Sequence, residues 1–85
     1  MKQFDYTITD ALGIHARPGG ELVKVAKAFS STIKLTCNGK TVDAKRLIAV
    51  MSLGAKQGHL LSVSVEGDDE EAAAEKLSSF LKENL

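Results

Sequence analysis

The sequence predicts an α+β protein, an open-faced sandwich in which a four-stranded antiparallel sheet carries three helices on one face, in the order βαββαβα. Three observations predict it. Short segments alternate apolar with polar residues, so each strand has one face to bury and one to leave in water, the pattern of an antiparallel sheet covered on one side. Between them lie runs with apolar residues at helical spacing. Asn38-Gly39 joins two of the alternating segments and is a strong hairpin signal.

The elements follow in order. Phe4, Tyr6 and Ile8 alternate with Asp5 and Thr7, giving a half-buried strand that ends near Asp10. From Glu21 to Phe29, Leu22, Val25, Ala26 and Phe29 fall on one helical face. Pro18 is tolerated only in a helix's first turn, where its missing N–H has no partner to lose, so this helix begins near Ala16 and His15 takes the cap position. Gly19 and Gly20 then lie inside it, at roughly 1 kcal/mol each relative to alanine, and a looser first turn is expected. Ile33, Leu35 and Cys37 mark the second strand, and Lys40 to Val42 the third. Leu47 to Leu53 reads as a brief helix with Gly54 as its C-terminal stop. Leu61, Val63 and Val65 form the fourth strand, ending at Gly67. A last helix opens on an Asp68–Glu71 capping pair and runs to about Glu83, with Ala73, Leu77 and Leu81 on its core face.

A chain of 85 residues suits one domain over 1–85, with a single core and no room for a deep catalytic cleft, so a binding surface is expected. No apolar run approaches a membrane span and no secretory leader pattern opens the chain, which makes the cytoplasm the expected address. The lone Cys37 has no partner for a disulfide or a metal-ligand pair. Formal net charge is zero, which argues against binding nucleic acid through its phosphates, and the strands lack the paired exposed aromatics of RNA-binding sheets. The charge is uneven: residues 11 to 56 carry eight basic groups against two acids. That half fits protein partners with acidic docking surfaces.

The chemistry concentrates in Gly13-Ile14-His15-Ala16-Arg17-Pro18-Gly19-Gly20. At the start of a helix the N–H groups of Ala16 and Arg17 have no intrahelical acceptor. With the positive end of the helix dipole they make a site for a phosphate dianion. The Arg17 guanidinium is always charged and can hold two phosphate oxygens at once. A neutral imidazole at His15 is a nucleophile for phosphorus. The bland alternative, a histidine that merely caps the helix, leaves Arg17 and Pro18 unaccounted for.

This stretch resembles the active-site loop of the HPr family, the histidine-containing phosphocarriers of the bacterial phosphoenolpyruvate-dependent sugar phosphotransferase system. The resemblance extends along the chain through Val50-Met51-Ser52-Leu53-Gly54 to the acidic start of the last helix at Asp68. It implies that His15 accepts a phosphoryl group through Nδ1 from enzyme I and passes it to the IIA domain of a sugar permease. It also implies that Arg17 stabilises the phosphate, and that no metal or organic cofactor takes part. By the same resemblance Leu47, Ile48 and Met51 flank the histidine and dock into partners, with Lys24, Lys27, Lys45 and Arg46 as a basic rim. A monomer that neither inserts into membranes nor binds nucleic acid is expected.

One departure stands out. Where most of the family carries a serine after Lys45, the substrate of a dedicated kinase, this chain has Arg46, so no serine switch is carried over. The competing reading is an HPr-like regulatory protein acting on metabolic or transcriptional partners, which a missing histidine would favour. His59 lies in a loop with no base, acid or arginine beside it and reads as a surface histidine. Ser52 reads as a merely exposed helix residue.

Overall fold

A computed structural model describes residues 1–85 as β1 (Lys2–Thr7), α1 (Ala16–Lys27), β2 (Thr32–Cys37), β3 (Lys40–Asp43), α2 (Leu47–Met51), β4 (Leu60–Glu66) and α3 (Glu70–Asn84). The strands lie in the order β1-β4-β2-β3 and every neighbouring pair is antiparallel. Asn38 and Gly39 have φ of 55° and 77°, the two left-handed conformations that a two-residue hairpin turn requires. On the outer face beside that turn the Thr36 and Thr41 hydroxyls share a 2.8 Å hydrogen bond across the paired strands.

Period-two burial holds along the central strands. Ile33, Leu35 and Cys37 of β2 and Leu61, Val63 and Val65 of β4 are buried beneath the helices. Leu22 and Ala26 of α1, Val50 of α2, and Ala73, Leu77 and Leu81 of α3 complete the same core. Each fully buried large aliphatic side chain contributes about 1.5–3 kcal/mol relative to exposure, so this layer holds the helices on the sheet. Burial also pushes the Cys37 thiol above its ordinary pKa.

Four local expectations are corrected. β1 stops at Thr7, short of Asp10, because the Asp10 N–H turns to the Leu85 carbonyl oxygen at 2.8 Å, joined by the Thr9 hydroxyl at 3.0 Å. α1 ends at Lys27 and not Phe29. Its last turn tightens, with Ala28 and Phe29 N–H groups reaching back three residues to Val25 and Ala26. Its buried stripe takes in Val23, with Val25 and Phe29 only half-buried.

The Asp68–Glu71 capping pair does not form. α3 starts at Glu70 with Asp69 as the cap residue, and the Asp69 carboxylate is committed to the loop between α1 and β2. It accepts the Ser30 N–H at 2.8 Å, the Ser31 N–H at 3.0 Å and the buried Ser31 hydroxyl. Those bonds, the Ser31 hydroxyl first, hold the Asp69 carboxyl below the usual carboxylate range. Glu70, and not Glu71, reaches back, accepting the Gly67 N–H at 3.3 Å while pairing with the Met1 amino group at 2.8 Å.

Candidate functional site

The loop leading to His15 is held from several sides. The Asp10 carboxylate accepts the Leu12 N–H at 2.8 Å, and the Asp10 carbonyl accepts the Gly13 N–H at 3.0 Å. Gly13 has φ of +65°, and a Cβ there would lie 2.3 Å from the Ala55 carbonyl oxygen. Only glycine permits that approach. It brings the Ile14 N–H to the same carbonyl at 3.0 Å and buries the Ile14 side chain. His15 therefore leaves a fixed loop.

His15 is the cap residue of α1, in extended conformation with φ −107° and ψ −178°, and its carbonyl accepts the first helical bond from Gly19 at 2.8 Å. Its imidazole makes no capping hydrogen bond. Pro18 has no N–H to offer, so the two unpaired donors of the first turn are those of Ala16 and Arg17. The Arg17 side chain is exposed, and both ion pairs of the molecule lie elsewhere, at Met1–Glu70 and Lys2–Glu71. Half-buried His15 opens into a shallow polar depression of about 220 Å³ lined by Asp10, His15, Arg17, Pro18, Glu21 and Asn84. A free imidazole beside two N–H donors and a free guanidinium has the parts for taking a phosphoryl group: a nucleophile and three groups to hold the oxygens.

The expected docking residues divide into groups. Lys24 and Lys27 are exposed in the last turn of α1, where cations complement the dipole. Lys45 is half-buried, and its ammonium donates to the Phe29 carbonyl at 2.8 Å, so it is engaged in joining the end of α1 to the start of α2. Arg46 is exposed at the cap of α2. Leu47 is 45% and Ile48 85% exposed, while Met51 is half-buried. A Cβ on Gly19 would lie 2.9 Å from the Met51 sulfur and 3.8 Å from Leu47 Cδ1, which puts those two side chains against the first turn that follows His15. Ile48 and Arg46 instead border a groove with Thr41 and Val42 of β3.

Sequence reasoning missed Asp10, Glu21 and Asn84 around the depression and the 70% exposed Leu12 before it. Glu21 was within reach, since it follows Arg17 by four residues and so shares its helical face. Asp10 and Asn84 arrive through tertiary structure and left no signal. His59 is not a bare surface residue. Half-buried, its Nδ1 accepts the Lys56 N–H at 3.0 Å and lies 3.3 Å from Asn38 Nδ2, so the ring holds the turn before β4. No cluster of three His, Cys, Asp or Glu is arranged to hold a metal ion, and no helix is long and apolar enough to cross a membrane.

An open-faced α+β sandwich with an uncapped histidine at a helix N-terminus defines the class of small phosphocarrier proteins. Residues 2–83 match the family model described as the phosphorylation site of the HPr component of the phosphotransferase system. The phosphocarrier protein HPr of Buchnera aphidicola from Acyrthosiphon pisum is 45% identical over 83 residues, which cover 98% of each chain. Among solved structures, HPr from Thermoanaerobacter tengcongensis superposes with a TM-score of 0.92 at 40% identity, covering 96% of this chain and 92% of that one. Crh, the Bacillus subtilis catabolite repression protein, gives 0.78 at 33% identity over 100% of this chain and 98% of its own, and is described as a dimer with a swapped domain. The chain belongs to the HPr family, the phosphocarriers of the phosphotransferase system, which serves sugar transport.

Proposed function

We propose that residues 1–85 act as one phosphocarrier domain whose His15 takes a phosphoryl group from a phosphohistidine of enzyme I and gives it to a histidine of a IIA domain. The observation that carries this reading is the His15 imidazole itself, free of any capping bond at the open end of α1 beside the unpaired N–H groups of Ala16 and Arg17. In the loading step the Nδ1 lone pair of neutral His15 attacks phosphorus. The donor's P–N bond breaks, and its electron pair stays on the donor ring. Discharge repeats the exchange in the other direction.

Little covalent work falls to the protein, because positioning and charge stabilisation on the transferring oxygens supply most of the rate. The helix N–H groups and Arg17 do both. Leu47, Ile48 and Met51 form the apolar part of the docking surface, and Lys24, Lys27 and Arg46 its cationic rim. Lys45 serves that surface indirectly, through its bond to Phe29. The carrier works as a cytoplasmic monomer without cofactor. With arginine at position 46 and a histidine at 15, the regulatory alternative has the weaker support.

The test is transfer of labelled phosphate from phosphoenolpyruvate through enzyme I. Native chain takes up acid-labile, base-stable label, as a phosphohistidine does, and His15→Ala takes up none. Equal labelling of the two overturns the assignment.

A further inference from the structure

Two of the six residues around the His15 depression are carboxylates, and neither is paired with a cation. Asp10 is fixed by its bond to the Leu12 N–H, and Glu21 is exposed one helical turn beyond Arg17. Against them stands the single cation Arg17, so with neutral His15 the rim carries a formal charge of minus one. A phosphoryl dianion on His15 makes that minus three. Arg17 and the two N–H groups have a phosphate to bind, while Glu21 has nothing to gain and a like charge to face.

Resting on the carrier reading above, we infer that Glu21 is a tuning residue which destabilises phosphorylated His15 and so favours passing the phosphoryl group onward. Its charge sits beside the group that arrives and leaves, not beneath the core, so it acts on the loaded state with little effect on the fold. Taking a separation of about 8 Å in water-like surroundings, one carboxylate facing a dianion shifts the loading equilibrium by about twofold after screening by about 0.1 M salt. The same repulsion disfavours the second ionisation of the phosphoryl group and raises its pKa.

The experiment needs no partner protein. Phosphoramidate loads His15 chemically: its P–N bond breaks as the imidazole nitrogen binds phosphorus, and ammonia leaves. Phosphorus NMR then follows the bound phosphoryl group against pH, and its loss to water against time. Glu21→Gln is expected to lower the phosphoryl pKa by about 0.2 unit and to raise the ratio of loaded to unloaded chain at equilibrium with phosphoramidate by about twofold, both effects shrinking as salt is added. Glu75→Gln, on α3 away from the depression, should change neither. A titration and loaded fraction in Glu21→Gln equal to those of native chain would overturn the tuning role while leaving the carrier reading intact. Failure of the native chain to load at His15 would overturn both.

Discussion

The two adjacent glycines at the start of α1 should respond oppositely to alanine. A Cβ on Gly20 would find nothing within 4 Å and the backbone there is helical, so Gly20→Ala gains the helix propensity, about 1 kcal/mol, with no steric cost. At Gly19 the same Cβ would meet the Met51 sulfur at 2.9 Å and Ile14 Cγ2 at 3.5 Å. The propensity gain is the same, but overpacking costs about 1–3 kcal/mol, and the flexible thioether puts the cost at the low end. Gly19→Ala should therefore come out near zero. Thermal denaturation resolves the two, since 1 kcal/mol moves the midpoint by about 4–8 °C in a domain of this size. Gly20→Ala should melt higher by that amount and Gly19→Ala within about 2 °C of native, converted at the same rate. Adding Met51→Ala should restore the Gly19→Ala gain, a coupling expected only of neighbours. If Gly19→Ala stabilises as much as Gly20→Ala in the native background, the packing of α2 against the first turn of α1 is not what limits that position, and the reasoning fails.

Two further outcomes follow from the structure. Because the Asp69 carboxyl is held below its ordinary pKa by the Ser31 and Ser30 donors, its stabilisation is fully present above the unfolded value of about 3.9 and is lost as pH falls through the lower folded value. Asp69→Asn should thus melt below native chain at neutral pH, with the gap closing in acid below about pH 4; a gap constant across that range would remove the linkage. Ile48, 85% exposed, should tolerate alanine within about 0.5 kcal/mol of stability, yet Ile48→Ala should raise the KM for transfer from enzyme I about tenfold with kcat unchanged. An unaltered KM would take Ile48 out of the docking surface.

Where local pattern decided, the sequence was a sufficient guide. The alternation at Ile33, Leu35 and Cys37 and at Leu61, Val63 and Val65 marked both central strands and their buried faces, because a half-covered sheet allows no other register. Asn38-Gly39 marked the turn, and Pro18 placed the start of α1 at Ala16. What was not legible was set by partners distant in sequence. The Leu85 carbonyl ends β1, and the Ser30–Ser31 donors draw Asp69 away from a simple cap. The Phe29 carbonyl engages Lys45, a residue that the family resemblance alone puts in a free cationic rim. The proposed acceptor His15 and its neighbour Arg17 were readable because a helix start is local physics. The carboxylates around them required the fold, apart from Glu21, whose spacing from Arg17 was available and unused.

The most direct test of the central claim is a chase. Native chain is loaded with labelled phosphate through enzyme I, separated from phosphoenolpyruvate, and mixed with a IIA domain. For a carrier, label is expected to leave His15 and appear on the IIA histidine within the mixing time, with none carried by His15→Ala. Label that stays on the chain in the presence of competent IIA would contradict a carrier and leave a protein that is phosphorylated without passing the group on.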